Sequence, residues 1–320
     1  MLLSHRRFHF IAIPLLLCLA ALAVSGCGLF VKRLPSGEAP RASAHDRFVT
    51  VDGVRLHYED YPGAGVPIVL LHGFASSTDT WREIVDRLQS AGHRVVALDM
   101  KGFGWSEKPM GADYSPKTLM AEVNAWMAKL GLSRVVFVGN SLGGGIGLML
   151  AIAHPERIDR LVLIDAAGYP IKKPLIIRAA TVPGAGPIAG LFFSRWMVHH
   201  LLEGVYYDPK RVTEARVDAY FDRLRTEGAL AAQVALSAAL DDQAVADIVA
   251  RIPQIAVPTL IIWGAEDPWI PLANAERFNR EIAGSRLQVI AGCGHVPQEE
   301  LPEVTATAIT AFAAGARAGQ

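Results

Sequence analysis

From Phe48 onward, short apolar runs alternate with longer segments whose apolar residues recur at helical spacing. Residues 48–51 and 55–58 flank Asp52-Gly53, a two-residue hairpin signal. Residues 67–71 and 94–98 form short apolar runs that predict buried strands, and residues 81–89 place Trp81, Ile84, Val85 and Leu88 on one helical face. The pattern then predicts a helix over 119–130, a strand over 135–138, a helix over 142–153 and a strand over 161–164. It resumes with a strand over 260–263, a helix over 273–282, a strand over 287–290 and a helix over 304–312. Alternation of this kind predicts an α/β fold, a mostly parallel central sheet wrapped by helices. Between the halves, from about 168 to 251, strand signals vanish and the chain becomes helical and Ala-rich, broken by Pro and Gly. Inserted after a sheet strand, this segment is expected to form a helical cap over the C-terminal strand edge, where such sheets bind ligands.

Against that frame of elements, Gly139-Asn140-Ser141-Leu142-Gly143 reads G-x-S-x-G between a predicted strand and a predicted helix. A turn that sharp strains the serine and exposes its Oγ, and it needs small residues on either side. A phosphate-binding glycine turn would read G-x-G-x-x-G or GK[ST], and neither is present. Residues 261–267 run from a strand into a loop bearing Glu266 and Asp267, and Gly292-Cys293-Gly294-His295 follows the last predicted strand. A serine nucleophile needs a neutral imidazole to take its proton, and the imidazole needs a buried carboxylate to fix its tautomer. The chain order serine, acid, histidine points to Ser141 as nucleophile, Asp267 as acid and His295 as base. Asp165, ending the strand over 161–164, competes for the acid's place. Glu266, Asp241 and Asp242 read as solvated charges. His72 precedes the serine and is expected to make a structural hydrogen bond. Cys293 has no second base to serve it and is expected to pack.

From residue 48 to its end the chain resembles the α/β-hydrolase superfamily. The residues that carry the likeness are His72-Gly73-Phe74, the segment 99–106 (Asp-Met-Lys-Gly-Phe-Gly-Trp-Ser), Gly139 to Gly144, Trp263-Gly264-Ala265-Glu266-Asp267 and Gly294-His295. The resemblance implies an oxyanion hole built from the backbone N–H groups of Phe74 and Leu142. Segment 99–106 looks like a loop shared by epoxide hydrolases, haloalkane dehalogenases and many esterases. The first two use an aspartate nucleophile, and Ser141 argues against both. The Gly-Asn-Ser-Leu-Gly-Gly elbow is similar to those of capped bacterial lipases and of meta-cleavage-product hydrolases, which cut carbon–carbon bonds. The latter carry a Gly-Pro-Gly-type loop after the first His-Gly and a Trp after the histidine, where this chain has Phe74-Ala75-Ser76-Ser77 and Val296. The expectation is therefore a small-molecule ester substrate cleaved through an acyl-enzyme, as in a carboxylesterase or lipase. Carbon–carbon bond hydrolysis is the alternative. A non-catalytic lipoprotein that keeps the fold as a binding module is another, although such a module has no need to retain Ser, His and Asp together. An apolar cluster at Leu191, Phe192, Phe193, Trp196, Met197 and Val198 is expected to wall the acyl group and to favour medium chains.

The N-terminus carries a different kind of signal. His5, Arg6 and Arg7 precede an apolar stretch over 8–24 that ends in Val24-Ser25-Gly26-Cys27. This resembles the lipobox of bacterial lipoproteins and implies a signal peptide over 1–26, lipidation of Cys27 and a tether over 27–46 before the domain over 47–320. An uncleaved anchor is the alternative, with the stretch near the lower limit for spanning a bilayer and interrupted by Pro14. Either way the domain is expected to be membrane-anchored on the periplasmic side. Gly28, where an Asp would favour inner-membrane retention, implies the outer membrane. Composition adds exclusions. With 51% hydrophobic and 19% charged residues the balance is that of a globular protein. Zero formal net charge without like-charge runs gives no footprint for nucleic acid. Three cysteines, one of them in the apolar N-terminal run, are too few for a disulfide framework. The ten histidines form no zinc-type spacing, so no metal and no cofactor are expected.

Overall fold

The computed structural model describes residues 31–40, 43–171, 193–240 and 242–315. Cys27, the candidate signal segment, Leu191 and Phe192 lie outside the described residues, as do the side chains of Asp241 and Asp242. Eight strands form one sheet: β1 (Asp46–Val51), β2 (Val54–Tyr61), β3 (Gly65–Leu71), β4 (His93–Leu98), β5 (Val135–Asn140), β6 (Ile158–Ile164), β7 (Thr259–Gly264) and β8 (Arg286–Ile290). Their spatial order is β1-β2-β4-β3-β5-β6-β7-β8. The β1–β2 and β2–β4 pairs are antiparallel and every later pair is parallel. The hairpin at Asp52-Gly53 turns through positive φ at both residues, the conformation that makes Asp-Gly a tight-turn signal.

Alternate side chains of the central strands go to opposite faces, and both faces are covered. Val69, Leu71, Val96, Leu98, Phe137, Leu161 and Leu163 pack on one face beneath the helices Pro116–Lys129 and Leu142–Ala153. Ile68, Leu70, Val95, Ala97, Val136, Val138, Val162 and Ile164 pack on the other. The helices, in chain order, are α1 (Arg82–Ser90), α2 (Pro116–Lys129), α3 (Leu142–Ala153), α4 (Arg195–Glu203), α5 (Glu214–Leu224), α6 (Ala229–Ala239), α7 (Asp242–Val249), α8 (Leu272–Glu281), α9 (Pro297–Glu300) and α10 (Pro302–Ala314). The predicted face Trp81, Ile84, Val85 and Leu88 is fully buried beside α10. Helix α2 begins earlier than its apolar period predicts. Ser115 caps it by accepting from Thr118 N–H, and Pro116 occupies the first turn, where its missing N–H costs nothing.

Helices α4 to α7 lie between β6 and β7, where the sequence places a helical cap. Phe193, Val198, Leu202, Val205, Tyr206, Val212, Val217 and Tyr220 of the cap form an apolar cluster together with Val296, the residue after His295. A buried polar network joins it to the body. Glu299 accepts from Tyr206 Oη at 2.5 Å and from Tyr220 Oη at 2.6 Å. It also pairs with Arg216 at 3.2 Å, and Arg216 reaches Asp79 at 3.2 Å. The segment expected as a tether is held to this cap at its described end. Leu34 N–H donates to Arg225 O at 3.2 Å, and Glu227 N–H donates to Leu34 O at 2.8 Å.

Candidate active site

The turn from β5 into α3 sets Ser141 at φ 52°, ψ −116°, a strained conformation for a residue with a side chain. Main-chain bonds hold it there, with Ser141 N–H donating to Ile164 O at 2.9 Å and Ser141 O accepting from Ala167 N–H at 2.9 Å. A Cβ at Gly139 would lie 2.3 Å from Gly143 O, and one at Gly143 would lie 2.2 Å from Leu71 O. Only glycine fits at these two positions. The loop after β3 passes directly beside the serine, since a Cβ on Gly73 would be 3.1 Å from Ser141 Cβ. That brings Phe74 to the serine from one side, while Leu142 opens α3 from the other, where helical N–H groups have no intrahelical partner.

Both ring nitrogens of His72 are engaged with backbone groups. Its Nδ1 donates to Gly73 O at 2.7 Å and its Nε2 accepts from Met100 N–H at 3.1 Å. Full burial lowers its pKa, so the ring stays neutral and props the loop. His295 is presented by a backbone bond from its N–H to Val205 O at 2.9 Å. Its Nδ1 donates to Asp267 Oδ2 at 2.7 Å. The other Asp267 oxygen accepts from Trp269 N–H at 2.7 Å and Ile270 N–H at 3.0 Å, which fixes the carboxylate's orientation. Ser141 and His295 face one cavity of about 170 Å³, which Gly73 and Phe74 also line. The structure thus brings together Ser141, His295, Asp267, Phe74 and Leu142.

Residues 66–189 and 200–302 match the family described as the alpha/beta hydrolase fold. The chain belongs to that family. It is 32% identical over 262 residues to 2-hydroxymuconate semialdehyde hydrolase of Pseudomonas sp. (strain CF600), covering 79% of this chain and 88% of the relative. It is 31% identical over 257 residues to Lipase 3 of Moraxella sp. (strain TA144), covering 78% of each chain. The solved structure of the meta-cleavage product hydrolase CumD from Pseudomonas fluorescens IP01 aligns with a TM-score of 0.71 at 27% identity, covering 83% of this chain and 96% of that one.

In this hydrolase the rival acid sits beside the chosen one. Asp165 is fully buried, has φ 43°, and accepts from Gly264 N–H through Oδ1 at 3.0 Å. A carboxyl oxygen of Asp165, one of Asp267 and a ring nitrogen of His295 all lie within 4.8 Å of one another. Burial and the adjacent Asp267 charge raise the Asp165 pKa well above its ordinary value, which favours the protonated form. Of the two carboxyl groups, only that of Asp267 is hydrogen-bonded to His295. Cys293 is buried and burial drives its pKa up, which favours the unreactive thiol. Glu266 is exposed, yet it accepts from Cys293 N–H at 3.1 Å and ties the acid loop to the histidine loop.

Three supporting residues had no reading in the sequence. Asn140 donates to His295 O at 3.1 Å and to Ile164 O at 3.2 Å, so the variable position of the serine motif holds the histidine loop. Glu300 accepts from Gly294 N–H at 2.9 Å and Tyr207 N–H at 2.8 Å. Tyr220 bonds Ser76 at 3.1 Å as well as Glu299, linking the cap to the loop that carries Phe74. The only signal for these was the placement of adjacent acids, Glu299-Glu300, shortly after His295. The expected apolar wall needs one correction. Phe193, Met197 and Val198 line the cavity, but Trp196 is 69% exposed and is not among the lining residues. It stands on the outer face of α4, because residues one apart on a helix point about 100° apart.

Proposed function

We propose that this hydrolase cleaves carboxylic esters with an apolar acyl chain through an acyl-enzyme on Ser141. The cavity lining carries the reading. Phe74, Phe193, Met197, Val198, Leu201, Leu202, Val205, Leu224, Leu230, Trp269 and Val296 surround the serine, and no Lys or Arg stands among the described lining residues. A neutral acyl chain is matched there, whereas a carboxylate would be buried without a counter-charge. In the reaction His295 Nε2 takes the Ser141 proton as Oγ attacks the carbonyl. The N–H groups of Phe74 and Leu142 stabilise the oxyanion, and His295 returns the proton to the leaving alcohol. Water, deprotonated by the same imidazole, then releases the acid. Asp267 holds the Nδ1–H tautomer and stabilises the imidazolium.

Carbon–carbon bond hydrolysis is a second reading, and the names of the relatives favour it over the first, three curated semialdehyde or dienoate hydrolases and the solved structure of CumD standing against one lipase. The likeness to those proteins weighs towards it; the name of Lipase 3 and the uncharged cavity weigh towards the ester. A fluorophosphonate probe should label wild type and not Ser141→Ala, and p-nitrophenyl esters run beside a 2-hydroxy-6-oxo-dienoate decide between the bonds. Faster turnover of the dienoate than of any ester replaces the first reading by the second. We also infer that the domain is held at a membrane through lipidated Cys27, on the periplasmic face of the outer membrane. Among the described residues no helix is long and apolar enough to cross a bilayer, so the reading rests on the N-terminal sequence alone.

A further inference from the structure

The first described residues of the chain run onto the cap. Val31 packs against the cap's apolar cluster, and the Arg33 guanidinium sits 5.5 Å from the centroid of the Phe193 ring, a wall of the cavity. Arg225 donates to Lys32 O at 2.9 Å, and Leu34 is bonded to residues 225 and 227. Gly37 N–H donates to Trp105 O at 3.0 Å and fixes the far end of this strap to the body. Cys27 lies four residues before Val31, a reach of at most about 14 Å for an extended chain. A lipid on Cys27, or the uncleaved apolar segment over 8–24, therefore brings the bilayer to the cap.

Trp196 stands on that cap. It is the exposed one among the chain's six tryptophans, the other five being buried or half-buried. Its indole lies against His200 with 3.9 Å between ring centroids. The next residues of the same helix, Met197, Val198, Leu201 and Leu202, line the cavity. Met197 and Leu201 are only half-buried, as are Leu224 and Leu230, so the cavity presents apolar side chains at its rim. An indole with one apolar body and one polar N–H suits the boundary between water and lipid.

We propose that α4 rests on the lipid surface to which the chain is anchored, with Trp196 at the interface, so that the cavity takes its acyl ester from that surface. The second clause rests on the ester reading, and the first does not. The test uses the full chain reconstituted in vesicles of phosphatidylglycerol and phosphatidylcholine, with and without brominated acyl chains. Bromine should quench tryptophan emission in wild type, and Trp196→Phe should remove most of that quenching. Trp196→Ser should slow hydrolysis of a vesicle-embedded acyl ester by about tenfold or more, the scale expected for losing one large apolar contact. Its rate on soluble p-nitrophenyl butyrate should stay within about twofold, as for an ordinary surface substitution. Equal emission with and without bromine in wild type, or quenching unchanged in Trp196→Phe, overturns the surface contact. Quenching that behaves as expected in a chain inactive on every ester retains the contact and overturns the ester reading.

Discussion

Replacing Asp267 by Asn tests the candidate site most directly, because the structure dictates which way the amide must turn. Asp267 Oδ1 receives two backbone N–H bonds, from Trp269 at 2.7 Å and Ile270 at 3.0 Å. An amide nitrogen cannot accept from them, so the Asn oxygen takes that place and its NH2 faces His295 Nδ1. The imidazole then has to present a lone pair at Nδ1 and carry its proton on Nε2, the atom that must receive the Ser141 proton. The wrong tautomer lowers turnover by about 10⁴. At 1.36 kcal/mol for each factor of ten that is about 5.5 kcal/mol of barrier. Asp165→Asn is the control. Burial and the Asp267 charge favour the uncharged form of Asp165, and Asn keeps an acceptor for Gly264 N–H. It should cost less than about tenfold, the scale of one neutral hydrogen bond. Both variants are compared by kcat on p-nitrophenyl butyrate, with the folded state checked by circular dichroism. A larger loss at Asp165 than at Asp267 makes Asp165 the acid and refutes the argument.

Phe193→Ala should raise the preferred acyl length, because Phe193 walls the cavity while its ring stacks on Phe221 at 5.4 Å. Each further methylene accommodated is worth about 0.8 kcal/mol, or about fourfold in kcat/KM, and equal losses on every ester would show the ring to be structural only. His57 predicts a fall in stability with rising pH. Burial opposes its charge, but Asp99 and Asp46, each 2.7 Å away, raise its pKa to about 9. The stabilisation, about 3 kcal/mol for a shift from 6.5 to about 9, is whole below pH 6.5 and lost as pH rises through 9. Urea midpoints from pH 6 to 9.5 should show the decline in wild type and little of it in His57→Gln. Cys27→Ser should leave the chain unprocessed and unlabelled by a palmitate analogue; the wild type failing to take up label points to an uncleaved anchor instead.

The strands were legible because both faces of this sheet are covered, so each central strand reads as an unbroken apolar run such as 135–138 or 161–164. The serine turn was legible because its strain demands glycines at fixed offsets, and Gly139 and Gly143 stand there. Helix starts were less so, since apolar period marks the first buried residue and not the cap. Leu119 announced α2, while Ser115 and Pro116 begin it. The order serine, acid, histidine admits both Asp165 and Asp267. Which of them meets His295 Nδ1 is set by how β6 and β7 end side by side, a tertiary fact. Trp196 misled for a similar reason. Apolar spacing says that a helix has a buried face, but a lone Trp beside it can equally lie on the other.

The cap's attachment was invisible because its partners are far apart in sequence and polar. Arg216 and Glu299 would each be costly to bury alone. They are buried together, with Asp79, Tyr206 and Tyr220 completing the bonds. A buried pair of this kind adds little net stability over an apolar packing of the same volume. What it adds is direction. Apolar side chains would let α5 slide over the body, whereas fixed donors on one carboxylate hold it in one register. That register places Tyr220 on Ser76, two residues beyond Phe74, and it places α9, which carries Glu299, immediately after His295. The same bonds that seat the cap therefore touch both the oxyanion loop and the histidine loop. In this hydrolase the cap is part of the scaffold that holds the loops of Phe74 and His295 around Ser141.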